Sequence, residues 1–384
     1  MILLFTKKRF IRNALLFSAN LLMLLTLVKE HTLIVLAVTS LLVYSIGRLL
    51  HNRTSKVILG VSIIFLVLLF SFRNYPILLE LLEEGIFSFL HAPILSVQKI
   101  GLSYILFRFI HWIVESYRRK INQPSFFSFL NYIFFFPTIL AGPIDTYSNF
   151  QYWLGNKRSR FNRILFFAGI TRILIGAFKT LAIVPLIIKV ATDYTLLIPD
   201  FSPLIAVFLS SLMYSLYIFL DFSGYSDIAI GSAYLIGIKT PENFNSPYIA
   251  KNLSDFWKRW HMTFSQFLSA YVFKPSIALF NLLFGSKNRL VITILGYLTT
   301  FTICGLWHGE TFNFVLWGLW HGIGLSINKI WTSKLKLKLI KTENWIYNLF
   351  SITITFTFVS IGWLFFHYQA NELNEILNLF YEIN

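Results

Sequence analysis

The chain has 384 residues, of which 56% are hydrophobic, 18% aromatic and only 13% charged. A soluble domain carries about a quarter charged residues, so this composition excludes an ordinary soluble enzyme and indicates a polytopic membrane protein. The formal charge of +16 does not indicate nucleic-acid binding, because Lys and Arg sit in short clusters between apolar runs, as in cytoplasmic loops.

One cysteine, Cys304, leaves neither an internal disulfide nor a multi-cysteine metal site. The N-terminal stretch lacks a small-residue cleavage pattern and reads as a first transmembrane helix. A bilayer-crossing helix needs roughly 20 mostly apolar residues, and 14–28, 33–50 and 57–72 are the first candidates. Lys7, Lys8, Arg9 and Arg12 precede them and Arg48, Arg53 and Lys56 follow the second, which places the N-terminus in the cytoplasm.

Residues 76–120 are less regular, with Glu80, Glu83 and Glu84 early and Arg108 and His111 inside an aromatic helix. Three residues apart, Arg108 and His111 share a helix face; they satisfy backbone carbonyls or face a watery cavity. The run 126–140 ends in FFFPTILAGPIDTYSNF, where Pro137 and Gly142-Pro143 break the helix and leave Asp145 beside it. Broken helices are tolerated at membrane depth only where they line protein or a cavity. A basic cluster at Lys157, Arg158, Arg160 and Arg163 follows, then spans at 164–188 and 202–220.

Residues 221–265 organise the rest. They carry Asp221, Tyr225, Asp227, Glu242, Asn243, Asn245, Asp255, Lys258, Arg259 and His261 between long apolar runs. Ionisable groups beside membrane spans are costly and by default mark function. The second half, 252–267, reads as one amphipathic helix with Phe256, Trp260 and Phe264 every four residues. Beyond it, 270–284 is apolar but broken by Pro275; 290–307, 312–330 and 345–366 are spans, and a short amphipathic tail closes the chain. About ten spans plus one or two partial ones result.

GLWHG occurs twice, ending at Gly309 and Gly322, and the intervening Glu310 and Asn313 put His308 and His321 on two helices. His261, His308 and His321 sit among Trp, Phe and Gly, where limited water favours a neutral imidazole and hence a general base. Gly305 and Gly309 let another backbone approach His308. No phosphate loop, dinucleotide fingerprint, nucleophile elbow or paired-histidine metal motif is present. Histidine with Asp221 or Asp227 equally suits a transport relay, so the residues alone leave histidine-dependent transfer and transport both open.

FFFPTILAGPIDTYSNF, DFSGYSDIAIGSAYLIGIKTPENFNSPY, DFWKRWHMTFS and GLWHGETFNFVLWGLWHG, in this order from Phe134 to Gly322, resemble the membrane-bound O-acyltransferase (MBOAT) family. Within it they are similar to the bacterial branch of alginate O-acetylation and teichoic acid D-alanylation proteins. The resemblance implies one membrane-embedded all-α domain: N-terminal spans over 1–120, a motif-bearing core over 126–330 and a C-terminal span and tail over 331–384, with interfacial helices around a central funnel. It implies that His308 deprotonates an acceptor hydroxyl attacking an acyl thioester, and that His261 orients substrate or polarises the thioester carbonyl. His321, Asp145, Asp221, Tyr225, Asp227, Asn243, Asn245, Trp257, Arg259, Trp260 and Trp307 become substrate-binding or supporting candidates.

The implied co-substrate is acetyl-coenzyme A or a carrier-protein phosphopantetheine thioester; no tightly bound cofactor, no metal and no nucleic acid are implied. Further implied partners are membrane lipid, a cell-envelope glycan or glycolipid acceptor, and a periplasmic acyl-handling protein, in a bacterial inner membrane. GPIDTY and GIKTP resemble the D-alanyl group, GLWHG with GWLFFH the acetyl group. Both groups carry an Arg-Asp pair after the RWH histidine; here Leu268 and Ser269 stand in that place.

Overall fold

The computed structural model describes residues 9–71, 101–122, 125–155, 162–335 and 345–381. Glu80, Glu83, Glu84, His91 and the basic positions 157–160 lie outside the described residues. Those that are described form helices, turns and loops, with no strand among them. Among the described residues seven helices are long and apolar enough to cross a membrane, against about ten expected, and the helix over 312–330, expected as a span, is not one of them. The chain is a multi-pass protein. The described part of helix α3 (Lys56–Ser71) and helix α4 (Leu102–Tyr117) have 16 residues each, and α4 is short of a full crossing. Run 126–140 breaks as expected: α5 (Phe126–Ile133) stops before a single 3₁₀ turn, Phe136–Thr138, that contains Pro137.

Three expectations are corrected. The span placed at 202–220 continues as one 33-residue helix, α9 (Pro203–Leu235), so Asp221, Tyr225 and Asp227 are helical. Its small residues are packing surface. A Cβ on Gly224 would lie 3.0 Å from the Gly176 carbonyl oxygen, and one on Gly231 would lie 2.6 Å from that of Gly169. The amphipathic helix at 252–267 is two helices, α10 (Leu253–Arg259) and α11 (Met262–Leu268), separated at Trp260 and His261. Pro275 does not break 270–284: a π turn, Ser269–Phe273, precedes α12 (Lys274–Phe284), and the apolar helix is continuous over Met262–Phe284. The wider turn accommodates the missing N–H and the proline ring.

The chain folds as two compact units, 1–175 with 226–241, and 176–225 with 242–384. The core of the first is aromatic: Phe109, Trp112, Phe129, Tyr132 and Phe150 are almost wholly buried. Arg108, 1% exposed, holds its broken helix. Its guanidinium donates to the carbonyls of Tyr132, Ile133 and Thr138 at 3.1, 2.7 and 2.8 Å and to the Thr138 hydroxyl at 2.5 Å. Helix-end carbonyls left unpaired by the break thereby find donors, which a planar five-donor fork supplies better than an ammonium could. His111 accepts the Tyr147 N–H at 3.1 Å. Of the two roles open to this pair, Arg108 takes the carbonyl-satisfying one.

In the second unit, α13 (Arg289–His308) and α14 (Phe312–Ile330) form a close hairpin. A Cβ on Gly305 would lie 2.2 Å from the Phe314 carbonyl oxygen, and one on Gly318 2.2 Å from that of Phe301. Only glycine permits that approach. The last long helix, α15 (Trp345–His367), contributes Trp363 and Phe366 to the same aromatic interior.

Candidate functional site

The two GLWHG motifs occupy facing helices, and their histidines meet across one indole. The His308 ring stands edge-on to Trp317, with 4.9 Å between centroids at 85°. Trp317 in turn lies 5.0 Å from His321 at 65°. His308 is the last residue of α13, half-buried, and Trp307, Phe314 and Phe366 also contact its ring at 4.5, 6.1 and 5.0 Å. Neither ring nitrogen hydrogen-bonds to another described residue. A partly accessible imidazole in an apolar frame, with its nitrogens unengaged, is placed to exchange a proton with a bound hydroxyl.

His261 is 5% exposed and has φ +42° and ψ +53°, the left-handed region that L-residues enter at a cost of roughly 1–2 kcal/mol. Hydrogen bonds from the loop residues 243–245 hold this conformation. The Met262 N–H donates to the Asn243 carbonyl at 2.8 Å, and the Asn245 N–H to the Arg259 carbonyl at 2.9 Å. The Thr263 hydroxyl donates to Asn243 Oδ1 at 2.6 Å. Arg259 donates to Asp255 at 2.8 Å and to the Asn245 carbonyl at 3.3 Å. Asn243, Asn245 and Arg259 therefore act on His261 through the backbone. Strain held by surrounding hydrogen bonds is a recurrent property of functional residues.

Phe264 touches both histidines, 4.9 Å from His261 and 6.4 Å from His308. Trp257 packs at 5.2 Å on His321, and Trp260 at 5.3 Å on Trp363. His321 is fully buried, and neither of its ring nitrogens has a hydrogen-bond partner. The three histidines, Asn243, Trp257, Trp260 and Trp307 thus share the second unit.

Of the acidic candidates, only Asp221 belongs to the second unit. Asp145 and Asp227 belong to the first unit, where Asp227 pairs with Arg172 at 3.8 Å. Asp221 is exposed and Tyr225 half-buried on α9; from the same helix it is Phe222 that packs edge-on against His261, at 4.7 Å. Sequence reading missed Phe222, Phe264, Trp317, Trp363 and Phe366. Aromatics are so frequent here that no local signal distinguishes these five. Ser269, in the Arg-Asp place of the resembling motif, opens the π turn.

Asp145 lies outside the spans. Burial pushes its carboxyl up to about 7, against hydrogen bonds from Asn149 and the Thr146 N–H and the positive charge of Arg108. Asn149 Nδ2 reaches both oxygens at 2.9 Å. No group of three or more His, Cys, Asp or Glu capable of holding a metal ion occurs among the described residues.

Residues 23–370 match the family model described as MBOAT, membrane-bound O-acyltransferase family. A teichoic acid D-alanyltransferase of Bacillus subtilis (strain 168) is 31% identical over 72% of this chain and 70% of its own length. A peptidoglycan O-acetyltransferase of Helicobacter pylori is 34% identical over 67% of this chain and 48% of its own. A probable alginate O-acetylase of Pseudomonas aeruginosa is 30% identical over 80% of this chain and 56% of its own. The matched part spans about half the length of these last two relatives.

Proposed function

The chain belongs to the membrane-bound O-acyltransferase family, and from that premise we propose that it transfers an acetyl group from a cytoplasmic thioester to a hydroxyl of an extracytoplasmic envelope polysaccharide or glycolipid. The observation that carries the assignment of residues is the position of His308, half-buried at a helix end with its nitrogens unengaged inside an aromatic frame. Two relatives whose names denote O-acetyl transfer support acetyl as the group and an envelope polymer as the acceptor.

In this reading a His308 ring nitrogen takes the acceptor's hydroxyl proton as its oxygen attacks the thioester carbonyl carbon. The tetrahedral oxyanion collapses, the C–S bond breaks, and the departing thiolate regains the proton from the imidazolium. General-base assistance of this kind contributes about 10²–10⁴-fold. His261 polarises the thioester carbonyl or orients the substrate, and its imposed backbone conformation supports such a fixed role. Donor approach from the basic, cytoplasmic side suits an anionic coenzyme A or acidic carrier. The N-terminus lies on that side of a bacterial inner membrane, and a periplasmic acyl-handling protein serves the acceptor.

D-alanyl transfer from a carrier protein is the second reading, favoured by the Bacillus relative, whose length is matched over 70%. One experiment addresses both. Envelope material from cells carrying wild-type protein or His308→Ala is treated with mild base, and the released acyl groups are identified by mass spectrometry. Loss of acetate in the variant, at equal membrane protein level, is the expected result; loss of D-alanine instead selects the second reading. An unchanged profile, where deletion of the whole gene changes it, overturns a catalytic role for His308.

A further inference from the structure

The second unit contains a cavity of about 510 Å³ that no histidine lines, although its wall residues Trp257 and Phe301 back onto His321. Its walls come from α10, from the continuous helix over Met262–Phe284, and from α13 and α14, and its lining includes neither His261 nor His308. That size suits a small ligand or part of a larger amphiphile. Trp257, Phe273, Tyr297 and Phe301 provide aromatic wall, and two lysines, Lys258 and Lys274, complete it.

Lys274 is the telling residue. It lies midway along a 23-residue apolar helix that is long enough to cross the membrane, and it is exposed. No carboxylate or other acceptor engages either ammonium among the described residues. A cation within a membrane span is costly unless it reaches water or an anion, and such a residue points to a ligand. Beyond Lys274 the same helix exposes Leu279, Leu282, Leu283 and Phe284, by 52%, 82%, 61% and 63%. The cavity therefore borders a surface made for hydrocarbon, where an amphiphile with one anionic end is the chemistry that matches both walls.

We propose that this cavity is a binding site for an anionic phospholipid, its phosphate drawn by Lys274 and Lys258 and its acyl chain lying on the Phe273, Tyr297 and Phe301 wall. Each lysine near an anionic lipid headgroup is worth about fivefold in affinity. The proposal needs no covalent step and does not depend on His308 acting as the base.

The test places purified full-chain protein in phosphatidylcholine nanodiscs containing a small fraction of either brominated phosphatidylglycerol or brominated phosphatidylcholine. Bromine quenches nearby indoles, and Trp257 in the cavity wall supplies the local signal, obtained by subtracting Trp257→Phe. The expected result is half-maximal quenching at about 25-fold less phosphatidylglycerol than phosphatidylcholine. The preference is lost in Lys258→Gln/Lys274→Gln and kept in Lys258→Arg/Lys274→Arg, which preserves charge and controls for folding. Native mass spectrometry of retained lipid gives the same comparison without Trp257→Phe. Equal quenching by both lipids, or a preference that survives in the glutamine pair, overturns the proposal. Relief of the phosphatidylglycerol quench by free coenzyme A also overturns it and makes the cavity a soluble-nucleotide site.

Discussion

The hydroxyl of Thr263 donates to the side-chain oxygen of Asn243 at 2.6 Å, across twenty residues of chain and in a buried setting. With the Met262 N–H on the Asn243 carbonyl, it fixes the second of the two residues between the short helices. That residue is His261. A polar clamp thus determines where an imidazole stands, and the imidazole's own side chain does not cap the helix it precedes.

His261→Asn therefore separates backbone from side chain. Asparagine enters the left-handed region readily, whereas alanine pays for it. We expect His261→Asn to melt within about 0.5 kcal/mol of wild type and His261→Ala to be destabilised by about 1 kcal/mol more. Both variants lose acyl transfer if the imidazole acts on the substrate. Thermal denaturation in detergent, paired with envelope acyl analysis, checks this; full transfer by His261→Asn would remove His261 from the mechanism.

The glycine hairpin makes a steric prediction. Gly318→Ala places a methyl 2.2 Å from the Phe301 carbonyl oxygen, so the helices have to separate, at a cost of about 1–3 kcal/mol or more. Gly60→Ala, with nothing within 4 Å of the new carbon, stabilises helix α3 by about 0.5–1 kcal/mol. A Gly318→Ala protein that melts no lower than wild type would contradict the close approach of α13 and α14.

Asp145 predicts a pH dependence. A free aspartate titrates near 4, whereas burial raises Asp145 to about 7 in the fold. The folded state then holds this proton more tightly than the unfolded one. Its contribution to stability is full below about pH 4, falls as pH rises toward about 7, and is absent above. Melting curves between pH 5 and 8 should show that decline in wild type and a flatter profile in Asp145→Asn. Identical slopes would place the titration elsewhere.

The sequence by itself determined the membrane class, the order of the apolar helices, the helix break at Pro137 and the four motifs that mark the family. These features are local: hydropathy over a span and residue spacing in a motif need no partner. It also placed His308 and His321 on separate helices, because Glu310 and Asn313 interrupt the apolar run.

Tertiary structure alone decided the rest. The break at Trp260 and His261 has neither Gly nor Pro to announce it, since it is enforced by hydrogen bonds from 243–245. The glycines of α9 look like loop punctuation until Gly169 and Gly176 are seen against them. Asp145 and Asp227, equally polar in sequence, fold into the first unit, while Phe222, Phe264 and Trp317 surround the histidines of the second. Which aromatic among so many meets an imidazole is a matter of long-range packing, and side-chain spacing along one helix does not encode it.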